Sequence, residues 1–200
     1  MGDIIKSALE IALEKAEKIG KASPEELEWE RLKERALSLV GKYLKRETQD
    51  FKGEVKTFLA KVPERHKKKV LKVVLEALLK NLTLPKEEYH LKDSQELLKT
   101  LKDFLNQIPQ VDKLLEETQK MLQEYFFQKE ALYQEMVRRF SASLNALEKA
   151  VSQQMGTEVK LSPEAHPQFQ EEWRKIKDRL DQEYERQLEY IKALLLKIFA

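Results

Sequence analysis

The chain has 200 residues, 42% hydrophobic and 36% charged, with 37 Lys/Arg against 35 Asp/Glu and no cysteine. That near-even balance provides no overall field to recruit polyanions, and the lack of cysteine excludes a disulfide frame, a thiolate nucleophile and Cys-ligated zinc. Only five Gly and six Pro interrupt a sequence of helix formers. The expected class is therefore all-α: a helical bundle over 1–108, then a long antiparallel helical hairpin over 109–200, about six helices in total.

The first segment, Asp3 to Ile19, carries Ile5, Leu9, Ala12, Ala16 and Ile19 every three or four positions and stops at Gly20, a suitable left-handed cap. Its start has neither the basic residues nor the apolar run of a secretory signal, so a cytoplasmic location is the expectation. No window approaches ~20 consecutive apolar residues, and no spanning helix is expected.

Ser23-Pro24-Glu25-Glu26 is a capping box with proline at the first helical position. Trp29, Leu32, Ala36, Val40 and Tyr43 keep helical phase beyond it. The segment reaches Val62 as one bent helix or two, with the break expected near Thr48 to Gly53; Pro63 ends it. Glu64 to Leu82 follows, with Val70, Leu71, Val74, Leu75, Leu78 and Leu82 on a broad apolar face. After Leu84-Pro85, Asp93 to Glu96 reads as a second capping box, opening a short helix through Leu105.

Two long segments close the chain. Val111 to Met155 and Gln168 to Ala200 both lack Gly and Pro and face each other across a turn containing Gly156, Pro163 and Pro167. The first carries its stripe through Leu115, Thr118, Leu122, Tyr125, Lys129, Met136, Phe140 and Leu144, the second through Phe169, Trp173, Leu180, Tyr184, Leu188 and Leu195. At ~1.5 Å per residue, ~45 helical residues span roughly 65 Å, so this stripe exceeds what the shorter helices obviously cover. A protein partner or self-association is the consequence.

The partner-binding candidates are Tyr125, Phe126 and Phe127, three aromatics that cannot share one stripe, and Leu194, Leu195, Ile198 and Phe199 in an apolar ending. Ordinary core packing is the plainer reading of both. Thr118 and Lys129 interrupt the seam, where polar residues can set register or simply snorkel.

The basic cluster Lys61, Arg65, Lys67, Lys68, Lys69 and Lys72 supplies anion-binding candidates, as phosphate contacts or as an acidic-surface contact. Its consecutive residues cover all sides of a helix with no interleaved aromatic, which favours a solvated turn. Glu87-Glu88-Tyr89-His90 has the carboxylate–histidine spacing of helical di-iron sites, but a second such motif is missing and His90 reads as a loop residue. No metal or other cofactor is expected. His-Glu-x-x-His and glycine-rich phosphate loops are absent.

The leading expectation is a non-enzymatic helical interaction protein. Nucleic-acid or acidic-surface binding through the cluster is the alternative. A helical enzyme or ligand carrier without a readable motif is the third reading.

Overall fold

The structure, a computed structural model, describes residues 23–105, 109–155 and 162–199. The expected helix from Asp3 to Ile19 lies outside them. Among the described residues there are six α-helices, one short 3₁₀ turn and no strand, so the chain is all-α. It divides into two compact units, one ending at Leu78 and the other starting at Leu79.

In the first unit, α1 spans Pro24–Leu44, α2 spans Phe51–Ala60, and α3 starts at Glu64 and continues as one helix to Lys80. The capping box forms as written in the sequence: the Glu26 N–H donates to Ser23 Oγ at 3.2 Å, and the Ser23 N–H donates to Glu26 Oε2 at 2.7 Å. Two helices, not one bent helix, occupy the following stretch. Asp50 caps α2 by accepting from the Gly53 N–H at 2.8 Å. A Cβ at Gly53 would require that carboxylate to shift.

The end of α1 is a Schellman-type stop. The Glu47 N–H reaches back to the Lys42 carbonyl at 2.8 Å while Arg46 takes φ of 60°. A left-handed conformation at a non-glycine residue costs about 1–2 kcal/mol. Arg46→Gly is therefore expected to stabilise the chain by about 0.5–1 kcal/mol after the extra entropy of glycine is deducted, measurable as a raised denaturation midpoint. The core of this unit comprises Ala36, Leu39, Val40, Phe51, Val55, Val62, Val70, Val74, Leu75 and Leu78. Tyr43 stacks on Phe51 with centroids 4.6 Å apart.

In the second unit, α4 spans Glu88–Leu105, α5 spans Pro109–Met155 and α6 spans Pro167–Phe199, with a 3₁₀ turn at Pro163–Ala165 before α6. α4 packs on α5, and α5 on α6. α4 is docked on the hairpin, within the unit that starts at Leu79. α4 also begins earlier than the Asp93 box suggests. Asp93 and Glu96 lie inside the helix, and the first turn is closed by the Leu91 N–H donating to the Glu87 carbonyl at 3.3 Å. His90 is therefore helical, not in a loop.

The 47 residues of α5 correspond to about 70 Å, against about 27 Å for the 18 residues of α4. Lys102 of α4 meets Glu116 at 3.3 Å and Asp112 at 3.8 Å, while Lys129 of α5 meets the backbone just before α4. α4 thus lies along Val111 to Lys129, and past Lys129 it gives no cover.

Candidate functional site

The central stretch of the hairpin is built around Tyr125 and Lys129. Tyr125 is fully buried, and its hydroxyl donates to Asp181 Oδ1 of α6 at 2.7 Å. Asp181 also accepts from Lys177 Nζ at 2.6 Å, and the Tyr184 hydroxyl donates back to Gln128 at 2.8 Å. These cross-helix bonds fix the register of the seam. Burial pushes the Tyr125 phenol well above its usual range, with the Asp181 hydrogen bond and charge adding in the same direction.

Lys129 turns inward. Its ammonium donates to the carbonyls of Lys86 at 2.6 Å and Pro85 at 3.2 Å, pinning the α3–α4 connection to α5. It also sits 5.6 Å from the Tyr125 ring centre and 5.4 Å from that of Phe126. Burial lowers the pKa of this amine, opposed by the nearby charges of Glu87 and Asp181. Thr118, fully buried, satisfies its hydroxyl by donating to the Leu114 carbonyl at 2.6 Å. Lys129 therefore does not snorkel, and neither polar residue leaves an unsatisfied group in the seam.

Past Lys129 an aromatic cluster takes over. Tyr133 meets Phe169 and Trp173 edge-on at 5.8 and 5.1 Å, and Phe140 meets Phe169 at 5.2 Å and His166 at 6.0 Å. Phe169 is buried at the centre of this group, whereas Tyr133, Phe140 and Trp173 remain half-exposed.

The candidate interface residues separate into core and surface. Tyr125 and Leu195 belong to the buried seam, while Phe126 and Leu194 are half-buried. Phe127 is 65% exposed and Ile198 37% exposed; the Phe199 side chain lies outside the described residues. Sequence reasoning missed Tyr89, which is 60% exposed in the first turn of α4. Two anchors place it near Phe127 along the helix axis: Lys102 opposite Glu116, and Lys86 opposite Lys129. That signal is an antiparallel register, available only once α4 and α5 are known to be neighbours.

The basic cluster is also sorted by the fold. His66 is buried against Trp29, its Nε2 3.7 Å from Glu28 and both ring nitrogens without a hydrogen-bond partner. Arg65 is held by Glu28 at 2.6 Å and Glu25 at 3.7 Å, and Lys67 by Glu64 at 2.6 Å. Lys61, Lys68, Lys69 and Lys72 stay exposed, Lys69 with its ammonium 5.9 Å from the Trp29 ring. Among the described residues no group of three or more His, Asp or Glu is placed to hold a metal, and no helix is long and apolar enough to cross a membrane.

The sequence pattern of a family of unknown function, DUF6657, matches residues 56–197, and the chain belongs to that family. No curated protein and no solved structure matches it.

Proposed function

We propose that this member of the family is a non-enzymatic protein-binding module whose contact element is the α5–α6 hairpin. One observation carries the reading: α5 runs on for roughly half its length beyond the cover of α4 with half-exposed aromatics along that stretch, and Phe127 stands on its surface just before it. An exposed phenylalanine on a helix locked in register by buried polar bonds is a preorganised anchor for another helical surface, a second copy included. The polar groups of the seam are spent on one another and on backbone carbonyls, which suits a structural role better than catalysis.

The test is affinity capture from native lysate with wild type beside Phe127→Asp, after nuclease treatment, with light scattering on both purified chains. A stoichiometric protein held by wild type and weakened at least tenfold by the substitution is the expected result, or a wild-type oligomer that the substitution dissociates. An aspartate at an exposed site leaves folding intact, so identical capture and identical mass for the two chains would remove Phe127 from any interface.

A further inference from the structure

The strongest surface feature outside the hairpin lies in the first unit. Residues 51–78 carry eight Lys/Arg against three Asp/Glu, although the whole chain is nearly balanced. The run that covers all sides of a helix on paper is divided by the fold. His66 goes inward and Lys67 pairs with Glu64. Arg65, Lys68, Lys69 and Lys72 follow i, i+3, i+4, i+7 spacing and share the outward face of α3. Arg65 is already committed to Glu25 and Glu28, which consumes the nearest acids of α1. Lys61, Lys68 and Lys72 have no ion-pair partner among the described residues. Glu76, one turn past Lys72, ends the basic stretch.

We infer that this face of α3, with Lys61 just before it, binds the sugar–phosphate backbone of a nucleic-acid duplex without reading sequence. The chemistry of the face selects among polyanions. Neither α2 nor α3 exposes a large apolar side chain that could wedge into lipid, and a stable membrane contact takes a second signal besides charge. The ring beside the face, Trp29 of α1, is half-buried and lies against His66 and Lys69, which leaves little of it for unpaired bases to stack on and disfavours single strands. Lysine ammoniums at one-turn spacing are point charges, suited to neutralising successive phosphates and not to base recognition. This site is independent of the hairpin, and its failure would leave the protein-binding reading intact.

The experiment is fluorescence anisotropy of a short labelled DNA duplex with the full chain at rising salt. Neutralising three or four phosphates predicts a loss of roughly 40- to 150-fold in affinity between about 50 and 200 mM monovalent salt. Lys68→Gln with Lys72→Gln should lower the log–log salt slope by about two, while Lys120→Gln on the hairpin leaves it unchanged. No binding at low salt, or a slope indifferent to the double substitution, overturns the inference. Affinity for anionic vesicles or polyglutamate with none for the duplex also overturns it.

Discussion

Phe169→Ala is expected to destabilise the second unit by about 3–5 kcal/mol, the range for emptying a buried aromatic site. Phe169 is the buried member of a group that includes Tyr133, Phe140 and Trp173, and it meets Tyr133 and Phe140 edge-on. Edge-to-face pairs contribute about 0.5–1.5 kcal/mol beyond the area they bury. Past Lys129 no α4 side chain is available to refill the space, so the cavity would persist or the seam would open from its turn end. Circular dichroism should show a lowered melting transition. Hydrogen exchange should accelerate first in Tyr133 to Phe140 and Phe169 to Ile176, before the α4-covered stretch. Uniform acceleration through α4 would mean that the hairpin unfolds as one cooperative block and that the aromatic cluster is not a local clasp.

Tyr125→Phe is the second large effect. The ring and its packing remain, but Asp181 loses its phenolic donor and keeps only Lys177. A hydrogen bond to a charged acceptor contributes about 1.5–3 kcal/mol, so a loss of that order is expected at neutral pH. The pH dependence is more specific. The folded phenol titrates above its unfolded value of about 10, so the unfolded chain releases this proton first. The contribution of Tyr125 is therefore constant below pH ~10 and falls as pH rises beyond it, by at most about 1.4 kcal/mol per pH unit. Lys129 has the opposite sign. Its lowered folded pKa makes its contribution increase as pH climbs toward the ordinary lysine value of about 10.4. Tyr133 and Tyr184 are also raised, chiefly by burial, and add to the alkaline loss. Comparing wild type with Tyr125→Phe removes these shared contributions. The stability gap between the two should narrow above pH 10, and a gap that stays constant would place the phenol in contact with solvent.

Local chemistry made much of this fold legible. The Ser23–Glu26 box, the stop at Pro63 and the two long Gly- and Pro-free segments are written in neighbouring residues, and the helices begin and end close to them. The Asp93–Glu96 pattern misled because a carboxylate three residues before another is also ordinary i, i+3 spacing inside a helix; Pro85 and the turn after it were the true start signal. Lys129 shows the other limit. Periodicity placed it on the seam, but its partners are carbonyls 43 and 44 residues away, invisible to any local pattern. Arg65 likewise depends on Glu28, 37 residues distant. Of the candidate interface, angular position alone distinguished Tyr125 from Phe127, and burial follows that order. The ending from Leu194 to Ile198 read as one apolar block, yet Leu195 faces the core, so truncating it would test packing as much as binding. Point substitution at Phe127 separates the two.

The most direct measurement is amide hydrogen exchange of the full chain, free and with a saturating amount of the protein it captures. Protein binding through the hairpin predicts slowed exchange centred on Tyr125 to Tyr133, with α1 and α2 unchanged. Protection confined to α1, α2 and α3, with the hairpin unaffected, would contradict it.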